Sequence, residues 1–505
     1  MPHHRGKCRE GRICLAIVTA ALSTVAIAIG SCRKLPASRA DTASGILRVG
    51  TAQLSASNPI AGLRQLSQLL TVEGLVRVGE DGRLEPVLAE KWSFANGGRS
   101  LLLTLRSGVQ FHDGTILDSN ALVRALPEGL KSFWGSLAQN VEQIKAIDDR
   151  TIEITFRSPS PLWQEMLEVT IRKPGGSIVG TGPFIAAQNA ATLRANANYY
   201  LGSPRINEVE VTSFPAVRTA WAELLRNRID MLWEVGTDAL DSLQSSTTVA
   251  VFAYTRHYQY VLAFNPRTPA LRSSDVRRAL NMAINRAEIV RQALNGHGVP
   301  SSGPVWPRYW ALPPPVATFE FDPARAAELL AGRAQPKIPV RFTCLIPADA
   351  MYERLALEVR RQLQAVGVEM DVQGMPTDRL FEAERTGKFD AVLIDFVSGP
   401  TMLRVWSLRD SRTENNLGGF GNGTIDSGFD RIGQAADEDN YRQGVGSLQQ
   451  AFLDDPPAIF LAWSERARAI SKRFAVPPPE NGRDVISTIR LWSPRNNDAR
   501  FASRN

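Results

Sequence analysis

Cysteine is scarce in this chain of 505 residues, with four in all: Cys8, Cys14, Cys32 and Cys344. The first two fall in an N-terminal segment that reads as a cleaved leader, and Cys32 sits at the cut site. Cys344 is then left alone, which excludes an intrachain disulfide in the mature protein. It lies in the strand-like run from Val340 to Ile346, so it is expected as a buried core thiol rather than a nucleophile. Histidine is nearly as rare. Past the leader only His112, His257 and His297 remain, at spacings unlike a zinc site, which argues against direct binding of a bare transition metal. Blocks of lysine or arginine are missing too. The formal net charge of +7 falls to +4 once the four positive and one negative side chains of the leader are gone. That excess is small and spread out, so a nucleic-acid partner has no support. No apolar run after Cys32 reaches the ~20 residues needed to cross a bilayer. There is no G-x-S-x-G elbow and no Ser/His/Asp set in recognisable context, which leaves a secreted hydrolase without its machinery. No repeat occurs at a solenoid period.

What is present begins at the N-terminus. Arg5, Lys7, Arg9 and Arg12 precede an unbroken apolar or small stretch from Ile13 to Ile29, followed by Gly30, Ser31 and Cys32. A basic leader, a short apolar run and small residues before the cut make a secretory signal over residues 1–31. Ile29-Gly30-Ser31-Cys32 looks like a bacterial lipobox, in which the Cys32 thiol is acylated and becomes the first mature residue. Each buried acyl methylene is worth ~0.8 kcal/mol toward membrane attachment. Residues 32–44 read as a polar, flexible tether.

The mature chain, with 44% apolar residues, needs two or more cores. Its first third reads as strands and turns. Ile46 to Gly50 is a strand, Ser55 to Pro59 a loop and Glu80-Asp81-Gly82-Arg83 a hairpin-like turn. Leu101 to Leu105 and Thr151 to Phe156 are further strands, the second with Ile152, Ile154 and Phe156 alternating with polar residues. Later, helices alternate with strands. Ser274 is placed to cap a helix carrying Val276, Leu280, Ala283 and Ile284 on one face. Asn285 with Glu288 suggests a second cap, and Asp322-Pro323 a third helix start. A helix through Leu355, Val359 and Leu363 stops at Gly367, and Val368, Met370 and Val372 then alternate as a strand. This is the grammar of an α/β lobe. Composition breaks near Tyr258 to Pro266 and near Phe460 to Arg466 bound it, and Pro313-Pro314-Pro315 is a surface loop inside it.

Four segments, taken together, resemble the peptide/nickel class of extracellular solute-binding proteins, family 5, the receptors of a large group of ABC importers. The first runs through Glu73-Gly74-Leu75-Val76, then Leu84 to Trp92, then Leu103 to Thr115 with its Phe111-His112-Asp113-Gly114 tetrapeptide. The second is Thr181-Gly182-Pro183-Phe184 with Asn198-Tyr199-Tyr200. The third is Leu262-Ala263-Phe264-Asn265 followed by Val276 to Arg286. The fourth is Gly387-Lys388-Phe389-Asp390-Ala391. Each alone is weak; their order and spacing over most of the chain are specific. The resemblance implies a mixed α/β, two-lobed periplasmic-binding-protein fold. Lobe I would comprise residues 45–258, with an extra subdomain at about 60–180. Lobe II would comprise residues 259–462, and residues 463–505 would return to lobe I. In that setting His112-Asp113 is a turn and not a metal site.

The resemblance also implies ligand contacts, each of which has a plainer structural alternative. Ser55 lies in the loop after the first strand. Phe396 matches the aromatic of peptide-binding members, but Ser398 or Gly399 stands where their amine-pairing aspartate is expected, and Asp395 comes too early and faces away. A buried ammonium without a carboxylate is costly, so this departure disfavours peptides with a free amine. Trp134 is either a cleft aromatic or a subdomain core residue. Arg404 and Trp406 offer a cation for a ligand carboxylate and a stacking face, or a solvated helix surface. Trp463 stands near the second crossing. Tyr258 and Tyr260 flank the first, and alternation turns one of them toward the cleft. The expected protein is a monomeric, lipid-anchored receptor at the periplasm or cell surface that partners a permease and ATPase. It binds a small or peptide-like solute and needs no cofactor. A ligand-sensing or chaperone lipoprotein is the alternative of another class.

Overall fold

The computed structural model describes residues 45–52, 61–175, 179–187, 191–236, 239–332, 340–416, 419–479 and 483–495. The signal segment, Cys32, the tether and Ser55 lie outside the described residues. No helix among the described residues is long and apolar enough to cross a membrane.

Two long strands organise everything else. Val249–Phe264 and Ala458–Ser471 pair antiparallel, with Val249 opposite Ser471 and Ala263 opposite Ala458. They occupy the middle of one eleven-stranded sheet. On the flank of Ala458–Ser471 lie, in order, Met231–Val235, Ile46–Ala52, Glu208–Phe214, Thr192–Ala195 and Phe184–Ala186. On the flank of Val249–Phe264 lie Ala391–Val397, Arg341–Pro347 and Glu369–Met375. Parallel pairs run within both flanks, Ile46–Ala52 with Glu208–Phe214 and Arg341–Pro347 with Glu369–Met375. Helices cover their faces, as parallel pairing requires.

Alternation along the strands sorts the side chains into separate cores. On the first flank Leu47, Val49, Trp233 and Ile470 pack on one face, while Leu232, Val235, Ala467 and Ala469 pack on the other. On the second, Tyr260, Leu262 and Phe264 join Phe342, Cys344 and Ile346, and Val261, Ala263, Val392 and Ile394 face the opposite way. Cys344 is buried as its strand-like context predicts, and burial pushes its thiol up to about 12. A separate four-stranded antiparallel sheet, Ala89–Ala95, Ser100–Leu105, Thr151–Phe156 and Val141–Ala146, carries Ile152, Ile154 and Phe156 inward against the helix Ser119–Trp134. Its core is continuous with Phe460 and Trp463 of the central strand Ala458–Ser471 and with Trp306.

Local signals worked where a side chain could make its own bond. Asn285 accepts from the Glu288 N–H at 3.0 Å, and Asp322 accepts from the Arg325 N–H at 2.8 Å. The helix Ser274–Met282 differs from expectation. Its cap falls one residue earlier, on Ser273, whose side chain makes no capping bond, and Asp275 in the first turn supplies the negative charge instead.

The four motif segments hold one another in two pairs. The Glu73 carboxylate accepts the hydroxyls of Thr181 (2.9 Å), Tyr199 (2.6 Å) and Tyr200 (3.0 Å), tying the first segment to both parts of the second. Burial outweighs these bonds and raises the Glu73 carboxyl. His112 lies 3.1 Å from the Gly182 carbonyl through Nε2, again joining first to second. Asn265 donates to the carbonyls of Gly387 (3.2 Å) and Phe389 (2.7 Å), joining third to fourth. Within the third, Arg286 is buried and donates to Phe460 O, Ser301 O and the Asn281 side chain, which fixes the helices to Ala458–Ser471. Gly182 sits so close to the helix Ala61–Thr71 that an added Cβ would stand 2.6 Å from Leu70 O and 2.7 Å from Thr71 C. Backbone cannot yield cheaply there. Gly182→Ala is expected to lower unfolding stability by about 1–3 kcal/mol, read as a shifted denaturant midpoint; an unchanged midpoint would contradict this packing.

Candidate functional site

The two central strands part company for three residues. Their ladder is regular to Thr255 opposite Glu465 and resumes at Gln259 opposite Trp463, leaving Arg256, His257 and Tyr258 out of register with the partner strand. Met231–Val235 arrives from one flank with its carboxyl end at this level, because Val235 pairs with Ala467. Ala391–Val397 arrives from the other, with Val397 opposite Tyr258. Ligands of open α/β sheets bind outside the carboxyl ends of strands, and here the ends of both flanks converge on one gap.

Charged side chains fill that gap. Arg466 donates through Nε to Glu234 (2.8 Å) and through Nη2 to the Tyr260 hydroxyl (3.2 Å). Burial opposes ionisation of Glu234, but the Arg466, Arg256 and Arg468 guanidiniums outweigh it and hold the carboxyl below its ordinary value. Arg468 is bound to Asp484 and lies 3.5 Å from the Trp233 ring centroid. Asp395 accepts the Tyr352 hydroxyl. Arg256 lies 3.9 Å from the centroid of the Tyr258 ring, with its nearest carboxylate oxygen, Asp395 Oδ2, at 3.8 Å.

Beside the gap stands an aromatic wall. Trp306 packs edge-on to Trp463 at 4.8 Å and to His257 at 5.2 Å. Its indole donates to Glu80 O at 2.6 Å, and Arg308 pairs with the Glu80 carboxylate at 2.6 Å. Burial, with Arg404 and Arg308 adding to it, pushes His257 down to about 4, so it is neutral at pH 7. Ser398 and Gly399 donate to the His257 carbonyl at 2.9 and 3.3 Å. A Cβ on Gly399 would stand 3.2 Å from the Trp463 ring and 3.3 Å from the Trp306 Cβ. A side chain there would need the two tryptophans to give by a few tenths of an ångström.

The candidates named from sequence divide between two places. Tyr258, Tyr260, Phe396 and Trp463 belong to the crossing. Tyr258 is half-buried under Arg256, whereas Tyr260 is fully buried and faces Tyr352. Phe396 is half-buried, lies on the opposite face from Asp395 and has the Arg409 guanidinium 5.7 Å from its centroid. Trp463 is fully buried, and its indole N–H has no partner among the described residues. Trp134, Arg404 and Trp406 lie elsewhere, where the short helix Pro161–Glu168 meets the helix Met402–Arg409. Trp134 is buried and donates to Met166 O (3.1 Å), Arg404 pairs with Glu168 (2.8 Å), and Trp406 donates to Asp410 (3.0 Å). Sequence reasoning missed Arg256, Glu234, Tyr352 and Arg466. Only Arg256 carried a signal, since it stands two residues before Tyr258 in an alternating strand.

The second place has its own chemistry. Thr401, at the cap of Met402–Arg409, makes no capping bond. Glu165 supplies it from far away in sequence, accepting the N–H groups of Met402 (3.3 Å) and Leu403 (2.6 Å). Beside this contact opens a cavity of about 810 Å³ walled by Trp92, Phe94, Gln164, Glu165, Trp310 and Tyr441. Burial raises the Glu165 carboxyl from 4.5 to about 7, against the two backbone donors and with Glu168 adding to it. A carboxyl raised in the folded state stabilises the fold fully below its unfolded value. That contribution, up to about 3 kcal/mol, is lost as pH climbs through the folded value. Glu165→Gln is therefore expected to match the wild type in melting temperature near pH 5 and to gain on it steadily toward pH 8. Parallel profiles would show that this carboxyl titrates normally.

With this geometry in view, the comparisons are specific. The model of bacterial extracellular solute-binding proteins, family 5 (middle), matches residues 83–409. The glutathione-binding protein GsiB of Escherichia coli K12 is 24% identical over 401 residues, 74% of this chain and 78% of that protein. NikZ from Campylobacter jejuni, solved with Ni(L-His), superposes with a TM-score of 0.74 at 19% identity, covering 89% of this chain and 99% of that one. The oligopeptide-binding protein AppA from Bacillus subtilis, solved with a nonapeptide, gives 0.70 at 20% identity over 90% and 99%. AgaA from A. tumefaciens R10, solved with agropinic acid, gives 0.72 at 20% identity over 89% and 99%. The two-lobed fold of these receptors is the fold of this chain, which belongs to the bacterial extracellular solute-binding proteins of family 5.

Proposed function

We propose that this protein is the extracytoplasmic receptor of an ABC importer, and that it captures a peptide-like or other small organic solute at the strand crossing and releases it unchanged to a permease. The observation that carries this reading is the convergence of strand ends from both flanks on the gap at Arg256, His257 and Tyr258. In this reading residues 45–258 and 463–505 form one lobe and residues 259–462 the other. A ligand touching both shifts an open–closed equilibrium only by its preference for the closed state. Carrying the balance from 1:99 to 99:1 takes about 5.5 kcal/mol of such preference.

The ligand contacts in this reading are Tyr258, Phe396 and Trp463 at the crossing, with Ser55, which follows Ile46–Ala52 in sequence. Trp134, Arg404 and Trp406 act on the junction between Pro161–Glu168 and Met402–Arg409. GsiB binds glutathione, and the solved relatives hold nickel–histidine, a nonapeptide and agropinic acid. The scaffold thus accepts varied guests, which supports a small organic solute without choosing one. Gly399, packed against Trp463 and Trp306, supports a ligand recognised by something other than its free amine. The family serves transport by binding rather than by catalysis. Attachment through an acylated Cys32 and action as a monomer complete the proposal.

Small-angle scattering across a metabolite and peptide screen is expected to show a smaller radius of gyration with at least one compound, accompanied by a change in tryptophan fluorescence from Trp306 and Trp463. One fixed radius throughout, with no compound co-purifying by native mass spectrometry, would defeat the receptor reading. Separately, Cys32→Ser is expected to remove the acyl mass and move the protein from the detergent to the aqueous phase. Unchanged partitioning would defeat the anchor.

A further inference from the structure

Six arginines stand at or beside the crossing, and four are spoken for. Arg466 is held by Glu234 and Tyr260, Arg468 by Asp484, Arg308 by Glu80 and Arg483 by Glu85. Arg409, 5.7 Å from the Phe396 centroid, has Nε and Nη2 without partners among the described residues but is sealed in the core. Arg256 is neither held nor sealed. It makes no hydrogen bond to any described residue; Asp395 Oδ2, at 3.8 Å, is beyond bonding distance. The other oxygen of that carboxylate already accepts the Tyr352 hydroxyl. The guanidinium is nonetheless fixed in place by stacking on Tyr258 and is largely withdrawn from water, its side chain 20% exposed. A planar fork of donors, pre-oriented and partly desolvated, suits two parallel bonds to a carboxylate.

Resting on the receptor reading above, we propose that the solute carries a carboxylate and that Arg256 is the residue that anchors it at the strand crossing. Position supports this. Arg256 lies in the three-residue gap in the central ladder, at the level where strands from both flanks end. In the lobe division proposed above, Arg256 stands two residues before the boundary, so a ligand group placed there lies where the two lobes meet. The neighbouring acids do not offer an equivalent site for an ammonium, because Glu234 is engaged by Arg466 and Asp395 by Tyr352.

The test uses the full mature chain, freed of bound ligand by unfolding and refolding, against organic acids and their matched primary amides. The set includes glutarate and glutaramide, N-acetyl-trialanine and its C-terminal amide, and sugar acids with their amides. Melting temperature and radius of gyration are read for wild type, Arg256→Gln and Arg256→Lys. The expected result is that binders are acids, that each amide binds roughly tenfold or more weakly, and that Arg256→Gln loses a similar factor. Arg256→Lys keeps the charge without the fork and falls between. If Arg256→Gln does not refold, the comparison of acid with amide on the wild type and the lysine variant decides. Compaction driven equally by an amide, or undiminished in Arg256→Gln, overturns the carboxylate anchor while leaving the receptor intact. If no acid in the set changes either reading while a compound without a carboxylate compacts the protein in the wider metabolite and peptide screen, the carboxylate anchor falls and the receptor stands.

Discussion

The structure depends on one antiparallel pairing. Val249–Phe264 and Ala458–Ser471 each run through both flanks of the sheet, so that a single strand contributes Val251 to one core and Leu262 to another. A covalent joint made of extended, hydrogen-bonded chain resists stretching and shearing yet twists readily. The gap between Thr255 and Gln259 is where it can do so, since three residues there are released from the partner strand. In the receptor reading proposed above, binding chemistry and mechanical freedom fall at the same point.

Much of the fold was legible because its signals are local. Asn285 and Asp322 cap helices with their own side chains, and the alternation of Ile152, Ile154 and Phe156 follows from a strand with one buried face. The motif segments were recognisable as a set, but their reason was not, because Glu73 reaches Tyr199 and Asn265 reaches Phe389 across more than a hundred residues. These are buried polar fasteners. Losing one partner leaves the other unsatisfied away from water, which costs more than the bond itself contributes.

The site was legible only in part. Aromatic residues near the crossing could be picked out, since Tyr258 and Tyr260 sit at a break in composition. Their separate fates, one half-buried under Arg256 and the other sealed in a core, depend on how the ladder slips between Thr255 and Gln259. Slippage of that kind leaves no periodic trace. Arg404 looked available on its helix because its partner, Glu168, lies over two hundred positions away. Glu234, Tyr352 and Arg466 were invisible for the same reason: each is an ordinary residue until a distant one arrives.

The order of the sheet bears on how the chain can be made. Ala458–Ser471 is a central strand, wedged between Met231–Val235 and Val249–Phe264, yet it is encoded after nine-tenths of the polypeptide. Until it emerges from the ribosome, the sheet is two fragments with raw inner edges, and neither edge can be closed by anything synthesised earlier. Completion of the sheet therefore waits on the last tenth of the chain, whatever each fragment does before then.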